Sequence, residues 1–324
     1  MRVLVTGGAG YIGSHVSWVL AEHGHEPIIF DNLSTGHADQ VRAGKLVQGD
    51  LCNKEQIMAA FAAEKPEAVM HFAARSLVGE SVTNPRIYFH DNIVGALNLL
   101  EAMDKHEVKH IVFSSTAATY GMPKEVPITE EEAQLPINPY GDSKLAIERM
   151  LSAYDSAYGL RFAALRYFNA AGALPEQKLG ERHDPETHLI PLILQVPLGM
   201  RKAIKIFGRD YETEDGTCDR DYIHVLDLAT AHVAAVDHLA KGGDSLKLNL
   251  GTGKGNSVLE VIETARRVTG KEIPAEDAER RAGDPPVLVA KADKANEVLN
   301  WKCEHDLTSM IESAWKFFVD FYKK

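Results

Sequence analysis

Met1-Arg-Val-Leu-Val-Thr-Gly-Gly-Ala-Gly-Tyr-Ile-Gly13 decides how this chain is read. Val3, Leu4 and Val5 are a short apolar run suited to a buried strand. Gly7, Gly10 and Gly13 then punctuate a turn, and a helical pattern follows. The three glycines can serve a tight turn, a close approach of backbone to a pyrophosphate, and close packing of helix on strand. The helix would aim its N-terminal amides, and the positive end of its dipole, at that phosphate. The spacing is G-x-x-G-x-x-G, and glycines alone are a weak signal. Context strengthens them. Ser14 to His23 continues as a helix that Gly24 ends. Pro27 to Phe30 is a second strand with Asp31 at its end. An acid there holds a ribose 2′-hydroxyl and repels a 2′-phosphate, so NAD is expected over NADP.

The alternation continues outward. Lys45 to Gln48 is a third strand running into Gly49, Asp50 and Leu51, and Asn53 caps a helix to about Glu64. Ala68 to Phe72 is a fourth strand, followed by Ala73. Pro85 opens a long helix to about His106, with Asn92 near its start and an apolar face of Leu97, Leu99, Leu100 and Met103. His110 to Phe113 is a fifth strand, with Ser114, Ser115 and Thr116 at its end. After a proline-rich loop, Pro139 opens a helix to about Tyr158. Arg161 to Arg166 is a sixth strand ending in Tyr167, Phe168 and Asn169. Such βαβ units predict an α/β protein with a Rossmann-type, doubly wound parallel sheet. Asp31, Asp50, Phe72 and Ser115 all stand at carboxyl ends of strands, where such sheets bind ligands.

Beyond Ala170 the alternation fades. A loop over 172–187 leads to a short helix from His188 to Gly199. Strands are expected at Ile204–Phe207, Tyr222–Val225 and Leu246–Leu250, and helices at Asp227–Leu239, Val258–Thr269 and Leu307–Tyr322. The expected division is a cofactor domain over 1–171 and a smaller, mainly substrate-binding α/β lobe over 172–324, leaving room for segments that return to the first domain. Gly251-Thr-Gly-Lys-Gly255 lacks the upstream Gly and the Ser or Thr that a phosphate loop needs, and reads as a turn.

At 324 residues and 45% apolar content the chain can fill a large core. No apolar run is long enough for a membrane span, and the start carries no secretory pattern, so cytosolic residence is the default expectation. A net charge of −11 argues against nucleic acid and anionic membranes as partners. A phosphorylated substrate would then need local arginines. Cys52, Cys218 and Cys303 are isolated, which suggests neither disulfides nor a zinc site. His183 and His188 lie near acids without an HExxH pattern and read as ordinary polar histidines, so no metal is expected.

Tyr140-Gly-Asp-Ser-Lys144 places a tyrosine and a lysine one helical turn apart. The ammonium can lower the tyrosine pKa, and a positive nicotinamide nearby would add to this, so the phenol could act as a base near neutrality. Thr116 can hydrogen-bond the same substrate oxygen. Tyr120 and Lys124 share the spacing, but Pro123 between them disfavours a common helical face.

With these two motifs together the chain resembles the extended short-chain dehydrogenase/reductase family. Further stretches resemble its nucleotide-sugar 4-epimerases, those acting on UDP-glucose and UDP-galactose: 7–15, 114–121, 165–172, 188–191, 215–224, 281–284 and Asn300-Trp301. The resemblance covers essentially the whole chain. It implies reversible 4-epimerisation through a transient 4-keto sugar, with NAD tightly bound. It implies Tyr140 as base, Thr116 as assistant, and Lys144 on the ribose. It implies a cofactor site of Gly7, Gly10, Tyr11, Ile12, Gly13, Asp31, Asn32, Asp50 and Leu51, with Phe72, Ala73, Asn92, Ser115, Tyr140, Lys144 and Tyr167. The UDP-sugar then contacts Thr116, Tyr140, Asn169, His188, Leu189, Arg220, Arg281, Asp284 and Leu288. Arg220 and Arg281 suit a diphosphate chemically, since guanidinium matches phosphate oxygens. The resemblance also implies a homodimer pairing the helices around 91–103 and 140–158.

Three positions depart from the pattern of relatives. Thr116 stands where many carry Ser, and Arg75 and Ser76 stand where some carry a cofactor-contacting Lys. Leu288 stands where some carry Tyr, which leaves room for N-acetylated UDP-sugars as an alternative substrate. A nucleotide-sugar dehydratase would need an acid directly after the threonine; Ala117 and Ala118 stand there. A relative acting on UDP-glucuronate would need extra basic groups, and none is located. A non-catalytic NAD sensor would be expected to lose Tyr140 or Lys144.

Overall fold

The computed structural model describes residues 1–281 and 284–322. Its strands, in chain order, are β1 (Arg2–Thr6), β2 (Glu26–Asp31), β3 (Lys45–Gln48), β4 (Ala68–His71), β5 (His110–Thr116), β6 (Arg161–Tyr167), β7 (Asn169–Ala171), β8 (Ile204–Phe207), β9 (Asp219–His224), β10 (Leu246–Leu250), β11 (Gly255–Ser257), β12 (Ala275–Ala278) and β13 (Val287–Leu288). Seven of them form one sheet in the order β3-β2-β1-β4-β5-β6-β10, every pair parallel. The order reverses between β1 and β4, so a crevice opens beyond their carboxyl ends. In β1, Val3 and Val5 join one core while Leu4 joins the other. A strand buried on both faces reads as a continuous apolar run, which is why the opening stretch does not alternate.

The helices are α1 (Tyr11–Glu22), α2 (Lys54–Glu64), α3 (Val78–Thr83), α4 (Pro85–Tyr88), α5 (Gly95–Lys105), α6 (Pro139–Tyr158), α7 (Leu189–Gln195), α8 (Val225–Ala240), α9 (Val258–Thr269), α10 (Asp293–Leu299) and α11 (Leu307–Tyr322). α1 and α8 cover one face of the sheet; α2, α5 and α6 cover the other. Local chemistry sets their ends. Asn53 and Asn138 cap α2 and α6 by accepting from the Gln56 and Gly141 amides, and Pro139 stands at the first position of α6. Gly159 closes α6 in the left-handed region, at φ 67°.

The structure corrects several expectations. The helix expected from Pro85 to His106 is interrupted by a π-helical stretch, Phe89–Val94, which holds Asn92. Leu97 is 39% exposed, whereas Leu99, Leu100 and Met103 are buried. The helix expected over His188–Gly199 covers only Leu189–Gln195. The strand expected at Tyr222 starts at Asp219, because β7, β11 and β13 all pair with that stretch. The helix expected at Asp227 starts at Val225, where the ring of His224 accepts from the Leu226 amide.

After Ala171 the chain does not stay in one lobe. α8 returns to pack on α1, and β10 adds the edge strand beside β6. α10 joins the first core through Ala295, while α7, α9, α11, β8 and β9 build a second core. Gly251 to Lys254 is a turn whose amides are already used: Thr252 and Gly253 both donate to the Asp221 carboxylate. Among the described residues no helix is long and apolar enough to cross a membrane.

Candidate active site

The glycine turn is shaped by close approaches. Gly7 has φ +71°, and a Cβ there would lie 2.5 Å from the Ala73 amide nitrogen. A Cβ on Gly13 would lie 2.3 Å from the Gly7 carbonyl oxygen. Gly10 caps α1 without a side chain, so no side chain occupies the helix's first amides. Asp31 is buried at the end of β2, accepting from Ala9 at 3.0 Å and Leu33 at 2.8 Å. Asp50, at the β3 end, accepts from Cys52 at 2.8 Å and from Asn32 at 3.1 Å. Leu51 is buried beside Gly95. The backbone room at Gly7 to Gly13 and the acid at Asp31 fit a dinucleotide.

Ile12 and Phe72 pack on the first core, and Tyr167 is buried in it. Phe72 and Tyr167 both lie against the ring of His232, at 4.8 and 5.9 Å. Tyr11 donates to the Gly172 carbonyl at 2.7 Å, tying α1 to the second lobe. Asn92 spends its amide inside the protein, donating to Ser143 at 2.9 Å and Arg75 O at 3.1 Å and accepting from Arg75 N. Ser115 likewise points inward and donates to Glu148.

Thr116, Tyr140 and Lys144 come together at the end of β5. The Lys144 ammonium is buried, donates to the Ser114 carbonyl at 2.7 Å, and stands 5.9 Å from the Tyr140 ring centroid. Burial pushes Lys144 down to about 7. Burial pushes the Tyr140 phenol up, and its hydrogen bond with Thr116 pulls it down. This corrects the electrostatic expectation: in the protein alone the lysine does not dominate, and the phenol sits above its ordinary value.

On the substrate side, β9 and β13 put Arg220 opposite Leu288. Arg220 donates to Asp219 O at 2.8 Å and pairs with Asp284. Arg281 lies over the Phe207 ring at 4.2 Å. Ala282 and Gly283, within that motif, lie outside the described residues. Leu288 packs on the cluster of Ala117, Tyr120 and Ile128, which also carries Phe168, so it stands beside the residues that follow Thr116. Asn169 opens β7, opposite Tyr222. His188 caps α7 and Leu189 is its first residue. Tyr120 is buried and Lys124 exposed, so that pair shares no site.

Sequence reasoning missed one supporting group. Glu148 and Arg166 are 1% and 2% exposed and form a two-point ion pair, at 2.9 and 2.6 Å. Ser115 and Gln134 complete the Glu148 carboxylate, and Tyr120 accepts from Arg166. Tyr140, Lys144 and Glu148 follow at i, i+4 and i+8, which was the available signal.

The NAD dependent epimerase/dehydratase family model matches residues 3–251. The chain belongs to this family. A UDP-glucose 4-epimerase of Halalkalibacterium halodurans is 52% identical over 318 residues, 98% of this chain and 95% of that protein. The crystal structure of UDP-glucose 4-epimerase from Brucella ovis in complex with NAD has a TM-score of 0.95 at 49% identity, covering 98% of each chain. The Stenotrophomonas maltophila UDP-glucose 4-epimerase structure, with bound NAD and formylated UDP-arabinopyranose, has a TM-score of 0.97 at 41% identity, covering 100% of this chain and 99% of that one.

Proposed function

We propose that the protein interconverts UDP-glucose and UDP-galactose by 4-epimerisation, with NAD held through the cycle. One observation carries this reading: Tyr140 stands one helical turn from buried Lys144, which donates to the Ser114 carbonyl, and Thr116 is followed by Ala117 and Ala118 where an acid could stand. That set moves a hydroxyl proton and offers no carboxyl group for expelling water.

NAD, when bound, accepts a hydride from C-4 of the sugar and returns it, and its oxidised ring brings a positive charge. Tyr140 takes the proton of the 4-hydroxyl and later gives it back. Thr116 holds the same oxygen. Lys144, fixed to the Ser114 carbonyl, orients the ribose and favours the phenolate. Gly7 to Gly13 receive the pyrophosphate on the α1 amides, and Asp31 and Asp50 bound the adenosine ribose. Arg220 and Arg281 hold the UDP diphosphate. Asn169, His188, Leu189, Asp284 and Leu288 border the uridine and the sugar, which turns about its phosphate linkage between the two hydride steps.

Purified protein is expected to convert UDP-galactose into UDP-glucose without added NAD. UDP-N-acetylglucosamine and UDP-glucuronate serve as comparison substrates; faster turnover of either, or loss of water from the sugar, would overturn the assignment. We further propose residence in the cytoplasm and a homodimer built on α3 to α6. Val78, Val82, Phe89, Val94 and Tyr158 are exposed there. Light scattering on the purified protein tests the dimer.

A further inference from the structure

We propose that Glu181, His183, Glu186 and His188 form a binding site for one divalent transition-metal ion, with Zn2+ the expected occupant. No ligand pattern is legible here along the chain. Folding supplies one. The Nδ1 atom of His188 lies 2.8 Å from Glu181 Oε1 and 3.0 Å from Glu186 Oε1. The Nδ1 atom of His183 lies 3.1 Å from the same Glu181 oxygen and 3.7 Å from Glu186 Oε2. Each residue offers one ligand atom, and these atoms all lie within 4.8 Å of one another. Four ligands bonded to Zn2+ at about 2.0–2.2 Å in a tetrahedron stand roughly 3.3–3.6 Å apart. The cluster therefore needs only small side-chain rotations to enclose an ion.

The donor set also selects the ion. Two imidazoles and two carboxylates suit Zn2+ or Co2+, whereas Mg2+ and Ca2+ prefer an all-oxygen shell. As the ion binds, the Nδ1 protons that His183 and His188 share with the carboxylates are released to solvent; with the imidazoles then neutral the formal charge of the set is −2, which one divalent cation balances. The carboxylates are the inner wall: the side chains of Glu181 and Glu186 are 5% and 7% exposed. The imidazoles are the outer wall, with His188 at 41%, which leaves a route for the ion. Glu186 is oriented from behind, since its Oε1 accepts from the amides of Thr187 at 2.7 Å and His188 at 2.8 Å.

Its place in the fold gives the site a job. The ring of His183 lies edge-on to Tyr11 at the start of α1, and Arg182 reaches both oxygens of Asp39. His188 caps α7 in the second lobe. An ion here would clamp the 181–188 loop between the lobes. Four protein ligands leave no open position, so the role is structural. Without metal the same groups satisfy one another as paired charges, so the ion adds to a fold that already stands.

The test uses the full NAD-bearing protein, dialysed against chelator. Titration with Co2+ should give visible bands of tetrahedral cobalt, saturating at one ion per chain. Zn2+ should displace it and raise the melting temperature, and Mg2+ should do neither. His183→Gln, checked for native circular dichroism and NAD content, should lose the cobalt bands. Cys52→Ser should keep them, which excludes a thiolate site. Absence of stoichiometric Co2+ binding, or bands that persist in His183→Gln, overturns the proposal and leaves an ion-pair cluster only. These readouts do not depend on epimerisation, so they stand or fall apart from the proposed activity.

Discussion

On the cofactor side of the cleft, Tyr140 and Lys144 ride on a 20-residue helix whose next turn is fixed by the Glu148–Arg166 pair inside the protein. On the substrate side, Arg220 and Asp284 meet from positions 64 apart in sequence, and the Asp284 side chain is 29% exposed. The first arrangement suits the proton transfer proposed for Tyr140, because a long helix and a desolvated ion pair restrict its movement. The second, proposed to meet a diphosphate, is partly solvated, so water can replace a lost partner. The buried pair lies beside the proposed chemistry, and the more solvated pair beside the proposed phosphate contacts.

The largest test of this contrast is Tyr140→Phe, which removes only a hydroxyl. We expect kcat for UDP-galactose to fall by about 10²–10⁴-fold with bound NAD unchanged. Nearly full activity would remove Tyr140 from the mechanism. Next come the two ion pairs. Glu148→Gln leaves Arg166 buried and unpaired, and should cost about 3–5 kcal/mol in urea unfolding. Asp284→Asn should cost about 0–1 kcal/mol in the same measurement, since that pair is partly solvated. Equal costs would break the comparison. Arg220→Lys should raise KM for the UDP-sugar by about 10- to 150-fold, with kcat far less affected, the range expected for lost hydrogen bonds between charged groups.

The smallest effect is read from pH. Burial pushes His15 and His232 down to about 4 and His71 and His224 down to about 3. Between those values and the unfolded value near 6.5, the unfolded chain binds more protons than the folded one. Stability is therefore expected to fall as pH drops from about 6.5 toward 4, before most carboxylates titrate. His232→Asn should reduce the slope of unfolding free energy against pH by one proton. An unchanged slope would mean that His232 is charged in the fold.

Much of the fold was legible because its signals are local. The apolar run of Val3 to Val5, the glycines after it and Asp31 follow one another within about thirty residues, and each strand and helix up to Tyr167 carries its own period or cap. The errors fell where neighbours distant in sequence decided the outcome. β10 looks like any late strand, yet it closes the edge of the first sheet beside β6. The π-helical turn at Phe89–Val94 leaves the apolar spacing nearly intact, so periodicity could not reveal it. The side chains of Ser115 and Asn92 are fixed by hydrogen bonds to Glu148, Ser143 and Arg75, partners that no local pattern reveals.

The glycine turn, its acid and the Tyr140–Lys144 spacing were legible along the chain, because a Cβ on Gly7 would lie 2.5 Å from the Ala73 amide nitrogen and a helix repeats every 3.6 residues. Only the tertiary structure decided which charges are buried together. Glu148 on α6 meets Arg166 on β6 because that helix packs on the sheet. Such pairings depend on contacts across the fold, and no spacing along the chain encodes them.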